Sequence, residues 1–133
     1  MTQARRDGHS TEFGLWLRVQ PEIDSKREGF VATNLDYIWS NYRSGQWMLL
    51  EEKRFGMTPR RYQLCLFALL DKLAWIDPRY RGFHLLVFER TSPDDGEIFL
   101  DGKVIDKAEL LEFLQFRLPS FWYKSFNGIR EAA

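Results

Sequence analysis

A mixed α/β domain, with a central sheet flanked by helices, is what this sequence predicts. Three observations carry that expectation. Runs rich in β-branched and aromatic residues, at 35–42, 46–53 and 83–89, are interleaved with segments of helical period. The helical segments carry start and stop signals: Thr58-Pro59 and Asp106 at their beginnings, Asp77-Pro78 and Pro119 at their ends. The chain is 133 residues long, 44% hydrophobic and 29% charged, which suffices for one domain with a buried core and no disulfide.

The elements follow in order. Residues 1–9 are polar and read as a flexible lead-in. Ser10 or Thr11 can cap a short helix on which Phe13, Trp16 and Leu17 recur at i, i+3, i+4, with Pro21 ending it, although Leu15 to Val19 also fits an extended segment. Glu22 to Glu28 is charged and reads as a loop. Leu35 to Tyr42 reads as a strand, Arg43-Ser44-Gly45 as a turn, and Gln46 to Lys53 as the returning strand. That second strand is apolar on both faces until its charges begin, the profile of a central strand. Thr58 as N-cap and Pro59 at the first helical position then open a helix with Tyr62, Leu66, Leu69, Leu70 and Leu73 as its apolar stripe. Phe83 to Glu89 is a third strand. Glu97 to Leu100 and Lys103 to Ile105 form a small hairpin about Asp101-Gly102. Asp106 with Glu109 three residues on is a capping box for a last helix, and the aromatic tail Phe121-Trp122-Tyr123 is expected to pack back on the core.

Composition narrows the function classes. Formal net charge is zero, so any nucleic-acid contact must come from a local basic patch. Cys65 is the only cysteine, which rules out an intramolecular disulfide or a cysteine-built metal cage and suits a reducing cytoplasm. Met1 to Ser10 lacks the apolar core of a secretory signal, and no apolar run is long enough to span a bilayer. No glycine-rich phosphate loop is present, and Ser40, Ser44 and Ser125 lack the setting of a nucleophile, so NTPase and covalent mechanisms are unsupported.

One segment argues for a particular chemistry. Side chains alternate along a strand, so Glu51 and Lys53 share a face at the end of the second strand, and Asp36 on its hairpin partner can approach Glu51. Glu52 points the other way, but its backbone carbonyl can face the Glu51 side. Two carboxylates and a carbonyl are hard oxygen ligands suited to Mg²⁺ or Mn²⁺. A metal held there by Asp36, Glu51 and Glu52 would polarise a phosphoryl oxygen and acidify a water, and Lys53 would hold that water and offset transition-state charge. Without metal the two carboxylates should repel, so Asp36→Ala is expected to relieve strain. Arg54, Arg60 and Arg61 cluster just beyond and can track phosphates. The same triplet also reads as a solvated strand end, and the arginines as a solvated face. His84, in an apolar strand, reads as a hydrogen-bonded structural histidine. Cys65 reads as a small buried hydrophobe, and the five tryptophans as mostly core.

On these residues the chain resembles the PD-(D/E)XK nuclease superfamily, whose members share the restriction-endonuclease-like fold. The resemblance runs from Glu12 to Glu89. Asp36 matches the first-motif aspartate, with Leu35 where the motif has proline. Glu51 and Lys53 match the second motif. Tyr62 to Phe67 is similar to the helix motif of the RecB-like branch, with Gln63 in place and Phe67 where that branch has tyrosine. Glu12 is placed like the first-helix glutamate of some archaeal Holliday-junction resolvases. The resemblance implies a Mg²⁺- or Mn²⁺-dependent nuclease acting on DNA, with Gln63 and Glu12 assisting Asp36, Glu51 and Lys53. It also implies a homodimer, since two scissile strands need two sites. The chain leaves little room for a target-recognition module, which favours a structure-selective or partner-directed enzyme such as a junction resolvase or a phage or mobile-element nuclease. The rival expectation is a non-catalytic nucleic-acid-binding or assembly protein on the same scaffold.

Overall fold

The structure, a computed structural model, describes residues 11–132. The expected flexible segment at 1–9, with His9, lies outside them. The chain divides into two compact units at the boundary between Asn34 and Leu35.

In the N-terminal unit, helix α1 (Glu12–Arg18) starts where Thr11 Oγ1 accepts a hydrogen bond from the Gly14 N–H, 3.0 Å, so residues 15–18 are helical rather than extended. The charged stretch expected as a loop contains a short 3₁₀ turn (Pro21–Ile23) and helix α2 (Ser25–Glu28). Asp24 caps α2 by accepting from the Arg27 N–H, and Gly29, at φ +85°, ends it in the left-handed conformation that suits glycine.

The second unit carries a mixed α/β fold. Its five-stranded sheet has the order β1-β2-β3-β4-β5, with β1 (Tyr37–Ser40), β2 (Trp47–Lys53), β3 (Tyr80–Phe88), β4 (Ile98–Leu100) and β5 (Lys103–Ile105). Only the β2–β3 pair is parallel, and helix α3 (Arg61–Ala74) makes the crossover that a parallel pair requires. Strand β1 is shorter than the sequence implies. Asp36 lies just outside it, where its side chain takes the Glu52 N–H, 2.8 Å, in place of the Leu35 carbonyl that would continue the ladder. At the other end Asn41 Oδ1 accepts from the Arg43 and Ser44 N–H groups and closes the turn.

Both faces of the sheet are covered, which explains the unbroken apolar runs in β2 and β3. Met48 and Leu50 of β2 face a core completed by helix α4 (Lys107–Leu114), through Leu110 and Phe113, and by Tyr123. Leu49 faces a second core built from Phe67 and Ala68 of α3, Tyr80 and Phe83 of β3, and Ile129 of helix α5 (Asn127–Ala132). Asp106 and Glu109 form the expected capping box on α4, and of the aromatic tail Tyr123 is buried, stacked on Phe113 at 5.1 Å, and Trp122 packs beside the core, whereas Phe121 is exposed.

Helix α3 departs from expectation in three ways. It begins at Arg61 rather than Pro59: Pro59 is buried ahead of the helix, and Arg60, extended at ψ 157°, is the N-cap. Its leucine stripe is not the core face, since Tyr62, Leu66, Leu69, Leu70 and Leu73 are exposed and Phe67, Ala68 and Asp71 are buried. Asp71 marks the true inner face because Tyr80 and Ser125 donate their hydroxyls to it, which removes the cost of burying a carboxylate alone. Cys65, expected to be buried, is exposed. The tryptophans are also corrected: Trp16, Trp39 and Trp75 are exposed, and Trp47 and Trp122 are half-buried. Each indole N–H needs an acceptor, which holds the rings of Trp39, Trp47 and Trp75 at the margins, on Leu114 O, Asp77 and Ser125. Among the described residues no helix is long and apolar enough to cross a membrane.

Candidate metal centre

The acidic strand end is built on the sheet face that α3 and α5 cover. Register places Tyr37 opposite Leu50, so Asp36 comes opposite Glu51. The two residues are locked reciprocally. Glu51 Oε1 accepts the Asp36 N–H at 3.2 Å, and Asp36 Oδ2 accepts the Glu52 N–H at 2.8 Å. Lys53, two residues along and on the Glu51 side, brings Nζ to 3.5 Å from Glu51 Oε2. Asp36, Glu51 and Lys53 therefore meet at the C-terminal end of β2.

The electrostatics of this group are uneven. Glu51 is only 2% exposed. Burial, and then the Asp36 carboxylate beside it, push the Glu51 pKa up from 4.5 to about 7, against the pull of the Asp36 N–H and of Lys53. A buried carboxylate beside a second carboxylate, with one cation at its edge, is short of positive charge. The donor set, hard oxygens on two neighbouring strands, fits Mg²⁺ or Mn²⁺.

Glu52 occupies the opposite face, as alternation requires. Its Oε1 accepts from the Tyr37 hydroxyl at 3.1 Å and its Oε2 from Arg54 Nε at 3.0 Å. The Glu52 carboxylate raises the Tyr37 pKa by its charge. Its side chain is thus spent on Tyr37 and Arg54, and among the described residues no three His, Cys, Asp or Glu side chains gather as a metal-holding group. Any part Glu52 takes in metal binding falls to its backbone. Arg54 is tied to Glu52, whereas Arg60 and Arg61 are exposed at the start of α3 and make no ion pair among the described residues.

No hydrogen bond among the described residues links either residue expected to assist, Gln63 or Glu12, to Asp36, Glu51 or Lys53. Gln63 turns back on its own helix, its Oε1 accepting the Arg60 N–H at 3.0 Å. The first turn of a helix leaves N–H groups without partners, and Gln63 fills one of them. Glu12 lies in the first turn of α1, in the N-terminal unit, while the site described here belongs to the unit that starts at Leu35. His84 is a structural histidine, fully buried, with Nδ1 2.7 Å from Asp101 Oδ2 and Nε2 2.6 Å from Arg81 O.

The expected gain from Asp36→Ala needs correction. Asp36 accepts the Glu52 N–H, so alanine would orphan that half-buried donor at a cost of about 1–3 kcal/mol, cancelling the relief of repulsion. Sequence reasoning also missed an apolar cavity of about 340 Å³ beside the acids, lined by Tyr37, Trp39, Leu50, Leu86 and Leu110 among others, with Glu51 and Glu52 at its edge. Its walls come from segments far apart in the chain, so no local pattern announces it. No family model, curated protein or solved structure matches the chain.

Proposed function

We propose that this protein is a divalent-metal-dependent nuclease that hydrolyses DNA phosphodiester bonds, structure-selective or directed by a partner, and related to the PD-(D/E)XK superfamily. The observation that carries the reading is the Glu51 carboxylate, almost wholly buried beside Asp36 with Lys53 Nζ 3.5 Å away. A strand end with only a solvated role has no reason to bury a carboxylate against another. Asp36 and Glu51 hold Mg²⁺ or Mn²⁺, which supplies Lewis acidity and an acidified water. The reciprocal hydrogen bonds to backbone N–H groups fix both carboxylates before any ligand arrives, so little reorganisation remains. Lys53 positions the water and offsets the charge that grows on the phosphoryl oxygens. Arg60 and Arg61, exposed at the start of α3 and without an ion pair among the described residues, contact the DNA backbone.

A second reading, a non-catalytic nucleic-acid-binding or assembly protein, draws on one observation: Glu52 is fully engaged by Tyr37 and Arg54, so only two carboxylates remain for a metal. A cleavage panel separates the two. Linear duplex, single-stranded, flap and four-way-junction DNA, with RNA counterparts, are incubated with Mg²⁺ or Mn²⁺ or with EDTA. Metal-dependent cleavage of branched DNA in preference to linear duplex is expected. No cleavage of any substrate with either metal contradicts the nuclease reading.

A further inference from the structure

A second pocket, of about 240 Å³, lies between β5, the 3₁₀ turn Ser120–Tyr123 and α5. Three cations line it: Lys103 on β5 and, some twenty residues further along the chain, Lys124 after the turn and Arg130 on α5. Among the described residues none of the three lies within ion-pair distance of a carboxylate, although the chain carries as many acids as bases. The one carboxylate in the wall, Asp101, is committed on both oxygens, Oδ1 to the Leu85 N–H at 2.8 Å and Oδ2 to the His84 ring. The wall is therefore positive. It is also aromatic. Lys103 Nζ sits 5.4 Å over the Trp122 ring, which holds that ammonium in place, and Phe121 beside it is 61% exposed.

Cations without a carboxylate partner among the described residues, set around a concave wall, suit a phosphate, and an exposed aromatic ring beside them suits a base. We propose that this pocket binds a single strand of nucleic acid, with a phosphate held by Lys103, Lys124 and Arg130 and a base stacked on Phe121. The choice of nucleic acid rests on the nuclease reading above; the preference for an anion does not. The sheet gives the position. Glu51 pairs with Leu85, and Leu85 with Asp101, so the pocket's Asp101 backbone is two strand spacings, about 10 Å, across the sheet from that of Glu51. A strand anchored there enters the molecule close to the acidic strand end, on an unpaired stretch such as a flap or junction arm offers.

The test is fluorescence anisotropy of a short labelled oligothymidylate in EDTA, which separates binding from hydrolysis. Replacing Lys103, Lys124 and Arg130 together by alanine should weaken binding at least about tenfold and make the salt dependence shallower by about 0.7 in log–log slope, from the one phosphate no longer neutralised. Phe121→Ala should weaken binding about fivefold or more with the slope unchanged. Lys72→Ala, on the exposed side of α3, should bind as wild type. All these side chains are exposed, and equal melting temperatures verify the fold. No binding by wild type, or wild-type affinity and slope in the triple variant, overturns the proposal. So does displacement of the oligonucleotide by an equal concentration of thymidine monophosphate, which would assign the pocket to a free nucleotide. Cleavage assays on the same proteins keep the two readings apart. Metal-dependent cleavage with unchanged binding by the triple variant defeats the pocket alone. Pocket-dependent binding without cleavage by wild type supports the pocket and defeats the nuclease.

Discussion

Lys53→Ala is expected to abolish hydrolysis while leaving nucleic-acid binding within a few fold of wild type. Its ammonium sits 3.5 Å from Glu51 Oε2 and is only 24% exposed, at the end of a strand rather than on an open binding face. On the nuclease reading, a group so placed acts on the attacking water and on the charge that grows at the phosphoryl oxygens. Losing it removes transition-state stabilisation worth roughly 10²–10³ in rate, but few ground-state contacts. The measurement pairs cleavage of a branched DNA in Mg²⁺ with a gel shift in EDTA. Cleavage by Lys53→Ala at the wild-type rate would make the acidic triplet a charged strand end and put the binding-module reading first.

Glu51→Gln should remove a pH dependence of stability. The Glu51 carboxyl is pushed up to about 7 in the folded chain from 4.5, by burial and by Asp36. Between those values the folded state holds a proton that the unfolded state has lost, so stability falls as pH rises through the window. Below pH 4.5 both states are protonated and the group contributes nothing. Above pH 7 both are ionised and the whole penalty, about 3 kcal/mol at most, weighs on the fold. Glutamine keeps an oxygen for the Asp36 N–H and carries no charge. In metal-free buffer the variant should therefore match wild type at pH 4.5 and melt about 5–10 °C higher at pH 8. Thermal melting of both proteins across that range checks this. A difference that does not change with pH would show that Glu51 carries no such penalty.

How much of this was legible in the sequence depended on whether a local rule fixed it. The period of two along β2 places Glu51 and Lys53 on one face, and the short hairpin brings Asp36 opposite, so the meeting of these three could be read from spacing. The Asp106–Glu109 capping box and the Asp101-Gly102 turn were legible for the same reason: each is completed within a few residues. The inner face of α3 was not. Its leucines outnumber its buried residues, and the decisive partner of Asp71, the Tyr80 hydroxyl, lies on the next strand. The capping bond of Gln63 was not read because a cap and a substrate-facing amide carry the same residue at the same place. Helix α5 offers only Ile129 and Ala132 to the core, too little period for a short segment to show. The basic pocket was invisible because Lys103, Lys124 and Arg130 come together only once β5 and α5 are in place.

The central claim is that Asp36 and Glu51 together hold a divalent cation. The most direct test is the Mn²⁺-induced shift in melting temperature at pH 8, for wild type against Asp36→Asn. Asparagine keeps an acceptor for the Glu52 N–H, so the fold is preserved while the charge is lost. A ligand that binds only the folded state, at a hundred times its Kd, stabilises by about 2.7 kcal/mol. Wild type is expected to show an upward shift of several degrees that Asp36→Asn lacks. No shift in wild type, or an equal shift in the variant, would contradict the account.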